Sequence, residues 1–376
     1  MIDLQEIREV AKGYDRMTIG VFGSHSAEEV GVAARAAGLP TVVICQKGRE
    51  ELYTKYSKHL FEKHIVLDNF KDMVNEEVQE QLREMCTVFI PNRSFSVYVG
   101  YDAIENDFLV PMYGNRGILR AEERNAERNQ YYLLEKAGIR FPKHFKTPKE
   151  IDRLSVVKVQ QKDNPLERAF FYPKDQDDYY KQARELLDTG IVSEDGLRKA
   201  RIEEFVIGPR FNANFQAYAS KDKYGDFDFV GFEDRVQTNI SGMLNLPARE
   251  QMKINLHLRN EEVGHKGVTM RESLKPLVYE AAEKFMRIVE KEYPPEMIGL
   301  FSLQGALPYN PETKRPEFVV FDVSPRIPGC PCVGPTSPEM RKLSLKYRQE
   351  VQSPLDLSLM EMKYAAGNNV LKEIVT

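Results

Sequence analysis

The sequence predicts a chain of mixed class, an α/β unit with a parallel sheet followed by two α+β units, and three observations carry that expectation. Between Thr18 and about Gly114, short β-branched runs (TIGVFG, TVVIC, HIVLD, TVFIP) alternate with helical stretches, the pattern of parallel βαβ units. From about residue 201 the chain turns to IEEFVIG, the alternating run Phe211 to Tyr218, and DFDFVGFEDRV. Strict alternation suits an antiparallel sheet with one wet face. Finally, 376 residues are too many for one small core and comfortable for two or three subdomains sharing a cleft.

Composition narrows the function. Hydrophobic residues at 42% and charged residues at 29% describe a chain folded throughout. A formal net charge of -4 with both signs interspersed gives no pull toward nucleic acid or an anionic membrane. Met1 to Arg16 carries Asp3, Glu6 and Glu9 and no apolar stretch, so the expected compartment is the cytoplasm. Cys45 and Cys86 sit in apolar runs, and Cys330-Pro331-Cys332 has no second Cys or His pair at zinc spacing. Neither a disulfide framework nor a structural metal is expected.

In the first unit, residues 1–120, Ser26 and Glu29 fit a capping box at the start of the first helix after a strand, and Gly38 with Pro40 ends it. Gly23-Ser24-His25-Ser26 then lies at the carboxyl end of a parallel strand, where open α/β sheets hold ligands. His25 at this corner could meet a phosphorylated substrate or serve as a local cap. Asn92 to Ser96, after the fourth strand, reads as a ligand-facing loop or as plain turn chemistry. Arg116 and Arg120 could fork onto a phosphate or stay solvated. GVFGSH lacks the G-x-G-x-x-G spacing of a dinucleotide site, which excludes a dehydrogenase of that type.

The second unit, residues 121–200, opens with a polar helix from Ala121 to about Ala137, broken by Gly138 to Pro142, and continues with SVVKV, RAFFYP and a helix from Asp177 to Asp188. Lys158 could point from its strand to a nucleotide phosphate or be a solvated strand end. The third unit, residues 201–376, starts with Glu203 and Glu204, an acidic strand start or a hinge and acceptor for adenine and ribose. Its long helix, Arg271 to Glu292, carries an apolar stripe that should pack across the antiparallel sheet.

GLFSLQGALPY, the turn-rich NPETKRP and EFVVFDVSPR read as a hairpin with its midpoint near Thr313. That register sets Gln304 opposite Asp322, with Cβ atoms roughly 5 Å apart. A carboxylate and an amide oxygen at that distance can share a hard cation, so the pair is a candidate magnesium site. The alternatives for Asp322 are a surface position or an ion pair with Arg326.

Taken together, GSHS at 23–26, NRSF at 92–95, FLVPMYGNRGILR at 108–120, EKAGIRFPK at 135–143, IEEFVIG at 202–208, RESL at 271–274, MIGLFSLQ at 297–304 and the following VVFDVSPR resemble the archaeal formate-dependent 5-formaminoimidazole-4-carboxamide ribonucleotide synthetases. The resemblance covers nearly the whole chain. It implies an ATP-grasp architecture with an N-terminal Rossmann-like parallel α/β subdomain, ATP and Mg2+ as cofactors, formate and aminoimidazole carboxamide ribonucleotide as substrates, and a homo-oligomer. It implies that His25, Ser94 and His265 contact the ribonucleotide, that Lys158, Glu203, Glu204 and Gln237 hold ATP, and that Gln304 and Asp322 bind the metal. Three departures stand out. Gln160 to Arg168 holds no glycine where the family has a Gly-rich lid, so Lys162 or Arg168 would act by charge. Asp322 replaces the family's longer Glu, and Gln237 and His265 replace a Glu and an Asn. Two other readings follow from these changes: a ligase for another carboxylate and amine, or a purine-nucleotide-binding paralogue without turnover.

Overall fold

The computed structural model describes residues 2–123, 125–160, 168–237, 246–252, 262–310 and 312–376. Its first unit is a four-stranded parallel sheet, β1 (Thr18–Phe22), β2 (Thr41–Gln46), β3 (Lys63–Leu67) and β4 (Thr87–Ile90), in the order β3-β2-β1-β4. β1 and β4 are buried along their whole length, as strands covered on both faces require.

The last helices of the chain pack on this unit. Pro354–Gly367 joins one apolar core with Ile7, Val30 and Val43, and Glu361 accepts a hydrogen bond from the Tyr113 hydroxyl at 2.7 Å. Arg116 is buried inside the same junction and donates to the carbonyls of Ile104, Phe108, Val110 and Thr376. Burial pushes its guanidinium down to about 9, still a cation at neutral pH. The expectation of a phosphate fork therefore fails at Arg116, and Arg120 is taken by Glu105 and Asp102.

Two local expectations also change. Ser26 adopts a left-handed conformation, φ 66°, and its hydroxyl shares a hydrogen bond with His25 Nδ1 instead of capping the helix Ala27–Ala36. The polar helix shrinks to Gln130–Lys136. Asn129 caps it by accepting from the amides of Tyr131 and Tyr132, while Glu122 and Glu123 upstream are drawn to Arg326 and Arg93.

The second unit is an antiparallel sheet of β5 (His144–Phe145), β6 (Ser155–Gln160), β7 (Arg168–Phe171) and β8 (Arg201–Glu204), ordered β5-β8-β6-β7. Arg201–Glu204 thus pairs inside the small sheet. Phe145, Val157, Val159, Phe171 and Ile202 form its core with Tyr179 and Ala183 of the helix Gln176–Asp188.

The third unit is an antiparallel sheet of β9 (Arg210–Ala217), β10 (Phe227–Gln237), β11 (Glu262–Val268) and β12 (Gly299–Ala306), with the short hairpin β13 (Tyr309–Asn310) and β14 (Arg315–Pro316) leading to β15 (Val319–Ser324). Its order is β11-β10-β9-β12-β15. The helix Lys275–Glu292 lays Val278, Ala281, Ala282, Phe285 and Val289 on one face, against Phe215, Phe301 and Leu303, as its stripe predicts. Among the described residues no helix is long and apolar enough to cross a membrane.

Candidate active site

The other face of the large sheet is polar. β9 reads Phe211-Asn212-Ala213-Asn214-Phe215-Gln216-Ala217, so period-two alternation sends every amide to one side. Ser302, Gln304 and Ser324 join them, and all six side chains are buried. The predicted hairpin register holds: Gln304 pairs with Asp322. The same row continues through Asn212, opposite Gln304, to Glu233, opposite Asn212. Glu233, Asn212, Gln304 and Asp322 therefore span four adjacent strands, with neighbouring residues about 5 Å apart.

Gln304, Asn212 and Glu233 are each held in place. Gln304 Nε2 donates to Ser324 Oγ at 3.0 Å, which fixes the amide so that Oε1 is the oxygen it can offer. Asn212 Nδ2 donates to Glu233 Oε1 at 3.3 Å. Glu233 is 1% exposed, and His265 Nδ1 lies 2.8 Å from its Oε2. An ionised carboxylate only accepts, so the imidazole proton sits on Nδ1. Arg326, one alternative partner for Asp322, donates instead to Glu122 at 2.7 Å and to the Ile327 carbonyl.

The first unit reaches this row through its β1 corner. Asn92 Nδ2 donates to the carbonyls of Phe22 and His25, and its Oδ1 accepts from the Phe95 amide. One side chain thus caps the helix Arg93–Val99 and pins the corner. Ser94 Oγ donates to Ser24 Oγ at 2.7 Å, which sets Ser94 beside His25. The His25 ring lies edge-on to His265, with centroids 6.2 Å apart. Gly329, at φ +69°, makes room for it, since a Cβ there would stand 2.1 Å from His25 Cε1. Residues of the first and third units therefore meet at His25, His265 and Glu233. Glu29 belongs to the same cluster: burial first, then Glu233, raises its carboxyl to about 7, while His265 opposes the shift.

In the small unit, Lys158 Nζ is 2.5 Å from Glu203 Oε2, and the Tyr131 hydroxyl donates to Glu203 Oε1 at 3.1 Å. Strand alternation turns Glu204 the other way, where it accepts from the Lys143 amide and pairs with Arg140 and Arg153. Glu204 lines a cavity of about 500 Å³ with Phe205, Val206 and Pro308. Lys158 and Glu203 thus share a face, and Glu204 does not. Gln237 ends β10, and its side chain lies outside the described residues, as do residues 161–167, where a lid is expected, including Lys162, and the side chain of Arg168.

Two family models match the chain, a protein of unknown function, DUF1246, over residues 19–145, and a domain of unknown function, DUF1297, over residues 178–376. The chain is 37% identical over 332 residues to the 5-formaminoimidazole-4-carboxamide-1-(beta)-D-ribofuranosyl 5'-monophosphate synthetase of Methanocaldococcus jannaschii, covering 88% of each. It is 35% identical over 331 residues to the synthetase of the same name from Methanothermobacter thermautotrophicus, covering 87% of each. The chain belongs to this synthetase family. Among solved structures, an IMP biosynthesis protein from Thermococcus kodakaraensis superposes with a TM-score of 0.67 at 20% identity, over 95% of this chain and 100% of that one. The N5-carboxyaminoimidazole ribonucleotide synthetase of Thermotoga maritima gives 0.53 at 14% identity, over 93% and 76%. The architecture these neighbours share is the ATP-grasp fold.

Within this family member, sequence reasoning names Gln304, Asp322, His25 and His265 and singles out the segment that opens with Asn92, but misses Asn212, Glu233 and Arg326's partner Glu122. A signal for Asn212 is present, because amides at every second position of an otherwise apolar strand mark a face that is buried and polar. Glu233 carries no such mark, since DFDFVGFEDRV offers several acids and only the cross-strand register selects one.

Proposed function

We propose that this chain is an ATP- and formate-dependent ligase that formylates 5-aminoimidazole-4-carboxamide ribonucleotide in purine synthesis. ATP phosphorylates formate, and the 5-amino group attacks the formyl carbon, releasing ADP and phosphate. The observation that carries the reading is the polar row from Asp322 through the buried Gln304 and Asn212 to Glu233, meeting His265 and His25, in a chain of this family.

The residues present fit a magnesium ion. A hard cation that keeps several waters and binds through one or two carboxylates plus nucleotide phosphates would find one carboxylate and one amide oxygen side by side on adjacent strands at Asp322 and Gln304. Asp322 and the Gln304 Oε1 would hold it, and it would neutralise charge on the transferring phosphoryl group. Lys158, released from Glu203, would bind the nucleotide phosphates as a point charge. His25 and Ser94 at the β1 corner would orient the ribonucleotide, and the junction of the units would keep water from the acyl phosphate. Consuming ATP and a phosphorylated ribonucleotide, the protein would work in the cytoplasm.

The test follows ADP release from purified protein given ATP, magnesium, formate and the ribonucleotide, with each omitted in turn. The expected result is ADP formation that requires both co-substrates, with a formylated product. Turnover with a different acid or amine, or nucleotide binding without turnover, would overturn the reading.

A further inference from the structure

We propose that His265, positioned by Glu233, is the catalytic base that takes the proton from the attacking amine. This inference deepens the ligase reading and rests on it. The amine nitrogen forms a bond to the formyl carbon as the carbon–oxygen bond to phosphate breaks, and phosphate leaves with that electron pair. The nitrogen then carries one proton too many. Some group must accept it without protonating the departing phosphate, and a positioned imidazole is the side chain suited to that near neutral pH.

Four features place His265 in that role. Glu233 holds the ring through Nδ1 at 2.8 Å, leaving Nε2 as the basic nitrogen. Glu233 is itself pinned by Asn212 Nδ2, so the carboxylate orients the ring as a supporting group and does not touch substrate. The pair stands on β10 and β11, strands of the sheet and not a loop, which fixes its aim. Last, Glu233 ends the polar row two strand spacings, or about 10 Å, from Gln304, and His265, on the next strand, turns back to that carboxylate and meets the His25 ring.

Several titratable groups face the pair. Glu29 comes from the helix Ala27–Ala36, His25 from the β1 corner, Arg235 from the position opposite His265, and Cys330 and Cys332 from the segment after β15, where Cys332 Sγ donates to the His265 carbonyl. Any of these could shape a pH profile, so the test must separate them.

Two readouts are compared in the full-length protein. Formate-dependent scrambling of oxygen-18 from the β-nonbridging to the β,γ-bridging position of ATP reports acyl phosphate formation alone, and formylated product reports the whole reaction. In H265Q, product formation should fall on the order of 100-fold, exceeding the fall in isotope scrambling at least tenfold, and the acidic limb of the kcat–pH profile should vanish. E233Q should keep that limb but displace it, whereas E29Q should leave it in place. Equal losses in both readouts, or an unaltered acidic limb in H265Q, would overturn the assignment. A wild-type protein with neither scrambling nor product would instead overturn the ligase reading beneath it.

Discussion

The two faces of the five-stranded sheet use the same strands for opposite ends. On one side Phe215, Phe301 and Leu303 meet Phe285 and Val289 of the long helix in an apolar layer. On the other side Asn212, Asn214, Gln216, Ser302 and Gln304 are buried just as deeply. Burying amides costs free energy unless each finds a partner. Here most of the cost is met by a web that includes Gln216 with the Tyr113 hydroxyl and Ser358, and Asn212 with Glu233, while the Asn214 Oδ1 is buried without a partner among the described residues. A hydrogen-bonded polar face gives fixed oxygen and nitrogen positions, which a site requires. The apolar face supplies the stability that lets the polar face exist.

That division can be broken from either side. The largest effect is expected for F285A, which should remove about 4 kcal/mol of stability by opening a cavity, read as a lower denaturant midpoint, while kcat per folded molecule stays unchanged. D322N should do the reverse, lowering kcat on the order of 10²–10³-fold with little change in the midpoint. A pH test comes next. Because Glu29 is raised to about 7, its neutral form favours folding, and that contribution is complete below about 4.5 and fades as pH rises through about 7. E29Q should therefore flatten the fall in melting temperature between those values. The smallest effect belongs to N212A, which deletes one long hydrogen bond to Glu233 and should cost about 1 kcal/mol, read as a few-fold loss in kcat. Should F285A reduce kcat as strongly as D322N does, the two faces are not separable and the comparison fails.

Much of this division is legible in the amino-acid sequence. The alternation of β-branched runs with helical stretches predicts the parallel unit, and turn chemistry around Thr313 predicts the register that sets Gln304 against Asp322. Those are local signals, carried by residues close in sequence. The meeting of His25 with His265, 240 positions away, has no local signal. Neither does the fate of Arg116, whose four carbonyl partners come partly from the chain's last residue. The polar run 121–137 looks helical by composition, but Glu122 is claimed by a distant arginine and the helix waits for Asn129 to cap it. Ser26 fits a capping box by spacing, and the adjacent imidazole outcompetes the helix for its hydroxyl.

The most direct test of the account is a crystal structure with magnesium and a non-hydrolysable ATP analogue. The prediction is an ion within about 2.1 Å of both the Gln304 Oε1 and an Asp322 carboxylate oxygen, bridging to the terminal phosphates above the polar face. A nucleotide seated elsewhere, or an ion bound without either side chain, would contradict it.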